Sequence, residues 1–335
     1  MESTEPRRPR LTPARADVRR AVRAVLDDVT EGALVLVALS GGSDSLALAA
    51  ATAFEAPRAG RRAGAVIIDH GLQAESAAVA DRAAAQAEQL GLSPVVVHRV
   101  VVADTGSGPE ADAREARYRG LESVRVEHGA ELVLLGHTAD DQAETVLLGL
   151  ARGAGAASLA GMPARFDSYA RPLLELKRET LRQACTDEGL DWWEDPHNSD
   201  ERFLRVRIRE HILPMLEREL GPGVADALVR TAMQLREDND AFTEQIEEFI
   251  EEIVEPAEAG IAVSVRALEA NPAAVRQRII RYVVASEFGT SLSRTHTVEI
   301  ARLVTDWHGQ GPLQMPGFTV RRVQQLLVFQ AVSEH

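Results

Sequence analysis

Short apolar runs alternate with longer segments of helical periodicity over the first two thirds of the chain. The unbroken apolar run at 33–39 predicts a buried strand, and the Leu/Ala-rich stretch from Leu46 onward predicts a helix. The same patterns predict strands at 64–69, 94–102 and 132–136, and helices at 16–28, 76–90 and 110–127. This alternation is typical of an α/β fold, in which helices cover both faces of a parallel sheet.

The pattern changes toward the C-terminus. Amphipathic helices are predicted at 224–236 and 242–254, with a short strand at 261–265 and a small hairpin completed by 317–329. Gly221, Pro222 and Gly223 have the composition of a hinge. We therefore predict a flexible basic arm (1–15), an α/β domain (16–222) and a smaller, mainly helical C-terminal domain (223–335).

Composition narrows the class of protein. With 335 residues, 45% apolar and 26% charged, the chain is long enough for two globular domains. It has neither the apolar run of a membrane helix nor the start of a secretion signal, so we expect no membrane association and a cytoplasmic protein. A single cysteine, Cys185, excludes disulfides and cysteine-held clusters within one chain, and we expect it to be buried. The net charge of −14 argues against a generally basic nucleic-acid binder.

The sequence SGGSDS, residues 40–45, stands between the first strand and its helix. Gly41 and Gly42 let a ligand approach the backbone, and the free amides at the start of a helix hold phosphate well. Asp44 would be repelled by a phosphate about 4 Å away by roughly 4 kcal/mol at an effective dielectric near 20, so a cation should lie between them. No Gly-Lys-Ser/Thr follows, which excludes a Walker loop.

Two further clusters follow predicted strands. Asp69 and His70 end the second strand, and GHTADDQAET, residues 136–145, follows the fourth. Thr138 suits a helix N-cap, with a capping box formed by the acids of the first turn. Asp140 and Glu144 are four residues apart on one helix face, a like-charge pair that should require a cation.

Arginines recur on two further predicted helices. Helical spacing groups Arg114 and Arg117 with Glu110. In WWEDPHNSDERFLRVRIR, residues 192–209, a buried stripe is expected every four residues at Leu204, Ile208 and Ile212. On another side of this helix lie Arg202, Arg205 and Arg209. Three arginines near the predicted phosphate-binding loop suit a polyphosphate or an RNA backbone.

These motifs resemble, in order, those of the tRNA(Ile)-lysidine synthetases, a family of PP-loop ATP pyrophosphatases. The matching stretches are SGGSDS, DHGLQAES, the run from Glu110 to Tyr118, GHTADDQAETVLL with the following RGAG, and WWEDPHNSDERFLRVRIR. The resemblance covers roughly residues 33–215, and GPLQMPGFTVRR adds a looser match further on. Gln73, His197 and Val206 depart from the family pattern, at an arginine, a serine and an asparagine.

The resemblance implies a PP-loop (adenine nucleotide α-hydrolase-like) domain followed by a helical domain. It also implies that ATP and L-lysine convert the wobble cytidine of a minor isoleucine tRNA with a CAU anticodon to lysidine, releasing AMP and pyrophosphate. ATP and Mg²⁺ are the expected cofactors. The oligomeric state stays open, with a homodimer as one candidate.

Site residues follow from the matched positions. The catalytic candidates are Asp44, Asp140, Asp141 and Glu144, and Asp44 is also the metal candidate. The ATP-binding candidates are Ser40, Gly41, Gly42, Ser43, Asp44, Ser45, Asp69, His70 and His137. The substrate-binding candidates are Arg114, Arg117, Arg202, Arg205 and Arg209.

Two other functions remain compatible with these motifs. The chain could be another AMP-forming PP-loop synthetase with a different substrate, or a nucleotide-binding sensor in which nothing reacts. Thiolation of a tRNA base generally needs a cysteine pair or a cluster, so the single cysteine argues against it.

Overall fold

The computed structural model describes residues 11–71, 76–106, 108–153, 155–196, 200–257 and 260–332. The chain divides into two compact units, Met1–Arg236 and Glu237–His335. The boundary predicted at 221–223 lies before the start of helix α10 (Val224–Ile253), whereas the two units divide within this helix. A single helix therefore occupies the region in which the sequence pattern predicted two.

The first unit alternates strands and helices as the apolar pattern predicts. Its strands are β1 (Leu34–Ala38), β2 (Arg62–Asp69), β3 (Val95–Arg99), β4 (Ala130–Leu134), β5 (Arg165–Phe166) and β6 (Tyr169–Ala170). Its helices before α10 are α1 (Pro13–Leu26), α2 (Ser43–Arg58), α3 (Ser76–Gln89), α4 (Pro109–Glu127), α5 (Ala139–Ala151), α6 (Ala156–Leu159), α7 (Arg178–Glu188), α8 (Leu204–Arg207) and α9 (Leu213–Leu220).

The strands of this unit form one sheet in the order β3-β2-β1-β4-β6-β5. All neighbours are parallel except β5, which runs antiparallel to β6. The chain passes from β1 to β2 and β3 on one side, then returns to add β4 on the other side of β1. The point at which the strand order reverses, between β1 and β4, is where open α/β sheets bind their ligands.

Both faces of the sheet are buried, and β1 shows why its sequence is continuously apolar. Val35 and Val37 pack with α1, α2 and α7, whereas Leu34 and Leu36 pack on the opposite face against α4. A strand buried on both sides has no solvent-facing positions, so the apolar residues do not alternate with polar ones.

Helix α1 begins earlier than predicted. Pro13 occupies its first turn, where a missing N–H costs nothing, and the Thr12 side chain accepts a hydrogen bond from the Arg15 N–H. Residues 13–15, predicted as part of the flexible arm, are therefore helical. Residues 1–10 of the predicted arm lie outside the described residues, as do Gln73 and His197.

The segment before α10 corrects the predicted buried stripe. Ile208 is buried, but Leu204 is 41% and Ile212 36% exposed, while Val206 is buried instead. Ile212 ends a π-helical turn, Ile208–Ile212, whose wider turn shifts residues around the axis relative to an α-helix. Leu204 precedes this turn and is the first residue of α8.

The second unit combines the predicted helices with a five-stranded sheet. Beyond α10 its helices are α11 (Val265–Ala270), α12 (Ala273–Phe288) and α13 (Arg294–Thr305). Its strands are β7 (Val254–Ala257), β8 (Gly260–Ser264), β9 (Leu313–Met315), β10 (Phe318–Val323) and β11 (Leu326–Ala331). They form an antiparallel sheet in the order β7-β8-β11-β10-β9, of which the sequence pattern indicated only β8 and the final hairpin. Within the described ranges, no helix is long and apolar enough to cross a membrane.

Candidate active site

The loop between β1 and α2 folds back on itself through its serines. Ser45 Oγ accepts a hydrogen bond from the Ser40 N–H at 3.1 Å and donates one to the Gly42 carbonyl at 3.0 Å. Gly41 has a φ of +81°, a conformation that glycine adopts at no steric cost. Gly42 is the N-cap of α2 without a side-chain cap, so the first amides of the helix are left for an anion.

Two cavities meet at the carboxyl end of the sheet. The first, about 270 Å³, lies between the ends of β1 and β2, with mainly apolar walls and with Asp69 and His70 in its lining. The second, about 330 Å³, is polar and is lined by residues 42–45 of the loop and by His137, Asp141, Arg178 and Arg209. Both are lined by Ser40, Arg117 and Trp193, so the two cavities adjoin.

Arginine side chains lie between Asp44 and Asp141 in the polar cavity and Glu144, which is buried beside it. Arg178 Nε is 3.3 Å from Asp44 Oδ2, and its Nη2 is 2.8 Å from Asp141 Oδ1. Arg209 Nε donates to Glu144 Oε1 at 2.7 Å, and its Nη2 is 3.7 Å from Asp141 Oδ1. Part of the positive charge that the acidic motifs require is thus supplied by the protein itself.

These carboxylates have different pKa values. Burial raises the pKa of Asp44 against the opposing charge of Arg178, and burial raises the pKa of Glu144 against the opposing contact with Arg209. Burial would also raise the pKa of Asp141, but Arg178 and the Thr138 N–H lower it below its usual value. Arg178 and the Thr138 N–H thus favour the anionic form of Asp141, whereas burial disfavours the anionic forms of Asp44 and Glu144.

The start of α5 has the predicted capping box. The Thr138 hydroxyl accepts a hydrogen bond from the Asp141 N–H at 3.3 Å, and Asp141 Oδ2 accepts one from the Thr138 N–H at 2.9 Å. The cap therefore fixes Asp141 while leaving its Oδ1 for the arginines.

Asp140 points away from this cluster and lines neither cavity. Its Oδ2 accepts the backbone N–H of Arg178 at 2.8 Å, at the first residue of α7. It lines a separate cavity with Lys177 and Asp226, whose ion pair measures 2.9 Å. Asp140 and Glu144 thus do not share a cation, because each has its own partner: a backbone amide and Arg209.

Asp69 and His70 line the apolar cavity from the end of β2. Burial alone would raise the pKa of Asp69, but hydrogen bonds, including one from the Gly71 N–H at 2.9 Å, bring it below its usual value. Burial, followed by the charge of Arg117, lowers the pKa of His70. His70 Nδ1 is buried and has no hydrogen-bond partner among the described residues, so it can contact a ligand.

The substrate-binding candidates are placed at different depths. Arg117 lines both cavities and Arg209 lines the polar one. Arg205 Nη1 lies 3.7 Å from Glu144 Oε2. Arg114 is exposed and lies over the ring of Tyr118, and Arg202 is 84% exposed and pairs with Asp200. These two lie outside both cavities.

Sequence reasoning missed three residues of the site. Arg171 hydrogen-bonds to His137, Arg178 joins Asp44 to Asp141, and the Trp193 N–H donates to the Gly41 carbonyl at 2.9 Å. Arg171 directly follows β6, but this strand has two residues and is too short to produce a recognisable apolar pattern.

Cys185 is buried, as predicted, under the same loop. Its Sγ donates to the Ser43 carbonyl at 3.2 Å, and burial raises the pKa of the thiol to about 12. It is therefore a protonated packing residue and a poor nucleophile.

The fold and this loop define the class as PP-loop proteins, and the sequence family described as a PP-loop domain matches residues 14–216. A second family, the TilS substrate binding domain, matches residues 263–328. The chain is 58% identical to the tRNA(Ile)-lysidine synthase of Leifsonia xyli subsp. xyli over 89% of this chain and 90% of the relative. It is 48% identical to that of Thermobifida fusca over 91% of this chain and 94% of the relative. The chain belongs to the tRNA(Ile)-lysidine synthase family.

A solved structure with the PP-loop fold is similar to this chain. The U34-tRNA thiolase NcsA from Methanococcus maripaludis with its 4Fe-4S cluster superposes with a TM-score of 0.55 at 20% identity, covering 67% of this chain and 80% of that one. At this identity the likeness establishes the PP-loop fold alone. The resemblance inferred from the motifs is thus confirmed by family and by architecture.

Proposed function

We propose that this enzyme joins free L-lysine to C2 of the wobble cytidine in tRNA(Ile) with a CAU anticodon, using ATP and releasing AMP and pyrophosphate. One observation carries the proposal: an apolar cavity adjoins a polar cavity in which the PP-loop, two arginines and anionic carboxylates face one another. The volume of about 270 Å³ of the apolar cavity is close to the lower end of ordinary ligand pockets, roughly 300 Å³.

ATP occupies both cavities in this proposal. Its adenosine lies between β1 and β2, where His70 Nδ1 offers a hydrogen bond to the nucleoside. Its phosphates lie over the first turn of α2, within reach of the Ser40, Ser43 and Ser45 hydroxyls. Arg117 lines both cavities and is suited to the α-phosphate at their junction.

The first step activates the base. Cytosine O2 attacks the α-phosphorus, the bond from that phosphorus to the bridging oxygen breaks, and pyrophosphate leaves with the electron pair. The loop amides and serines stabilise the charge that develops on the leaving group. The result is a cytidine adenylated on O2, whose C2–O2 bond is now easier to break.

Asp44 is the residue suited to a metal ion. No cluster of three metal-ligating side chains occurs within the residues described, so Mg²⁺ would be held by Asp44 together with phosphate oxygens, as is usual for nucleotide-bound Mg²⁺. The carboxylate oxygens and the loop in which Asp44 lies fit such an ion. When bound, Mg²⁺ would supply positive charge to the departing pyrophosphate.

The second step adds lysine. Its ε-amine attacks C2, the C2–O2 bond breaks, and AMP leaves with O2. Asp141, kept anionic by its lowered pKa, binds the incoming ammonium. Glu144 accepts the proton, because its pKa is raised by burial and its Oε2 accepts no hydrogen bond from any described residue. Arg209 pairs with Glu144, which is 0% exposed, so this ion pair must open as lysine enters.

The tRNA reaches the site from outside. The cytidine leaves its anticodon stack at a cost of a few kcal/mol. Arg114 and Arg202 are exposed and suited to backbone phosphates. Arg205 is less exposed than Arg202 but more exposed than the buried Glu144. In this proposal residues 16–222 are catalytic, the C-terminal domain contacts tRNA, and a homodimer remains a candidate assembly.

Omission experiments test the reaction. Pyrophosphate release is measured with ATP, L-lysine and unmodified tRNA(Ile), leaving out each in turn. The mass of the modified nucleoside is determined by mass spectrometry. We expect a nucleoside with the mass of lysidine only in the complete mixture. A product without lysine, or pyrophosphate release independent of tRNA, would favour another PP-loop synthetase, and nucleotide binding without turnover would favour a sensor.

Asp44→Asn tests the assigned residue. We expect it to abolish AMP release while tRNA binding stays nearly intact. The substitution removes the negative charge of Asp44 that would hold Mg²⁺ against the departing pyrophosphate. Asp81→Asn, on the exposed side of α3, is the matched control and should keep full activity. Loss of tRNA binding in Asp44→Asn would refute the assignment of Asp44 to the nucleotide.

A further inference from the structure

Arg171 is held rigidly beside the polar cavity. Its Nη1 donates to the Pro163 carbonyl at 2.7 Å, and its backbone N–H donates to the Ala164 carbonyl at 2.7 Å. Its guanidinium lies 4.2 Å from the centre of the Phe166 ring, and the residue is only 5% exposed. A side chain anchored at this many points presents its remaining donors in one fixed direction.

That direction is toward His137. Arg171 Nε lies 3.2 Å from His137 Nδ1. A guanidinium has donors only, so Nδ1 must present its lone pair, and the ring proton must be on Nε2. Nε2 makes no hydrogen bond with the residues that the structure describes, and His137 lines the cavity that contains the PP-loop. We propose that Arg171 is a positioning residue that holds His137 in its neutral Nε2–H tautomer, so that Nε2–H donates to a phosphate oxygen of the nucleotide.

The surrounding charges favour the neutral ring. His137 is influenced by Asp141 on α5, by Arg114 and Arg117 on α4, and by Arg171 after β6. Burial, assisted by the three arginines and opposed by Asp141, lowers the pKa of His137 to about 3. At neutral pH the ring therefore has no acidic proton to transfer and acts by hydrogen bonding. The identity of the acceptor rests on the proposed function, whereas the tautomer does not.

Nitrogen NMR of the full chain with ¹⁵N-labelled histidine tests the tautomer directly. In the wild type we expect His137 Nδ1 to give a pyridine-type signal and Nε2 a pyrrole-type signal. Arg171→Met should produce a mixture of tautomers and raise the pKa of His137, and Arg171→Lys should largely restore the wild-type pattern. Phe166→Leu removes the stacked ring but keeps the donor, so it should leave the tautomer unchanged. A pyrrole-type Nδ1 in the wild type, or an unchanged tautomer in Arg171→Met, would overturn the proposal.

Two substitutions of His137 test whether its Nε2–H donates a hydrogen bond to the nucleotide. The amide nitrogen of glutamine reaches the position of Nε2, whereas that of asparagine reaches only the position of Nδ1. Hence His137→Gln should keep most of the rate of AMP formation, and His137→Asn should lose about 100-fold, the effect of removing a donor to developing charge. In a protein that already contains His137→Gln, adding Arg171→Met should have little further effect on how the rate of AMP formation depends on pH. Equal rates for the Gln and Asn variants would contradict the inference. Absence of lysidine in the wild type, with the expected tautomer, would instead contradict the proposed function.

Discussion

Arg178 determines how charge is distributed among the carboxylates of the site. It extends from the first residue of α7, contacts Asp44 and Asp141, and has its own backbone N–H fixed by Asp140. A buried carboxylate without a partner would take up a proton, so the arginine keeps anions available in a cavity that must also accept phosphates. The guanidinium can also turn toward a phosphate without leaving the cavity.

Replacing Arg178 should impair the first step of the proposed reaction. Arg178→Met removes charge-assisted hydrogen bonds worth about 1.5–3 kcal/mol, so we expect AMP formation to fall by roughly 10- to 100-fold, with Arg178→Lys in between. The pKa of Asp44 should rise further, because Arg178 is the main charge that lowers it. The measurement is single-turnover AMP formation against pH. Arg165→Met, a surface arginine, is the control, and an equal loss in that variant would contradict the assignment.

The buried neutral ring of His137 makes folding stability depend on pH. Its pKa is about 3 in the folded protein, whereas the ordinary value for a histidine side chain is 6.5, so below pH 6.5 the unfolded chain binds a proton that the folded chain does not. Stability from this residue is therefore full above pH 6.5 and falls toward pH 3, by up to about 1.4 kcal/mol per pH unit.

The comparison of wild type with His137→Gln isolates this effect. Asp44 and Glu144, whose pKa values are raised, contribute slopes of opposite sign, but they are present in both proteins. Urea unfolding at pH 7.0 and 5.5 should show a greater loss of stability in the wild type. Parallel losses would mean that His137 is protonated in the folded state.

At the scale of elements, the end of β4 packs tightly against the start of α2. A Cβ added to Gly136 would lie 3.2 Å from the Asp44 carbonyl carbon and 3.2 Å from the Ser45 nitrogen. Contacts with backbone at this distance can be relieved only by moving one element. The absence of a side chain at Gly136 thus lets β4 and the PP-loop meet at the point where the strand order reverses.

Gly136→Ala should consequently weaken ATP binding. The added methyl would displace the first turn of α2, and the loss of even one hydrogen bond to the phosphates corresponds to roughly a tenfold rise in Kd. Titration calorimetry with a non-hydrolysable ATP analogue provides the measurement. Gly311→Ala is the control, because nothing lies within 4 Å of a Cβ built there. Unchanged affinity in Gly136→Ala would show that the nucleotide does not use this turn.

The elements also show what the sequence can and cannot predict. Long apolar runs and the glycine- and acid-rich turns after them predicted β1, β2, β4 and the loops that carry Ser40, Asp69 and His137. Arg171 and Arg178 were missed because they reach the site through β6, a two-residue strand, and through the start of a helix with no motif of its own. The π-helical turn at Ile208–Ile212 was also missed, since the residues that form it fit an α-helical pattern equally well.

At the scale of the whole molecule, much of the excess negative charge is concentrated in one segment, and arginines are grouped in other parts of the chain. Residues 237–258 contain ten acidic residues and no basic one. In the second unit, burial and the charges of Arg278 and Arg294 lower the pKa of Arg281. Assembling like charges costs free energy, and an anionic partner such as an RNA backbone would offset this cost.

Arg281→Gln tests whether the second unit contacts tRNA. We expect weaker tRNA binding and a salt dependence, log Kd against log salt, that is smaller by about 1, as for the loss of one phosphate contact. Arg302→Gln is the matched control, because Arg302 already pairs with Asp306 at 3.1 Å. An unchanged salt slope in Arg281→Gln would exclude this arginine from the RNA interface.

The ion pair between Lys177 and Asp226 involves the only lysine among the 37 basic residues of the chain. Protein expressed with ε-¹⁵N-lysine would therefore contain one labelled side-chain amine. With unlabelled protein and the labelled free amino acid, every amine resonance in a heteronuclear spectrum would come from the added molecule. In the proposed reaction its primary ammonium becomes a nitrogen bonded also to C2 of the base, and this change could be followed in real time, free of background from the protein.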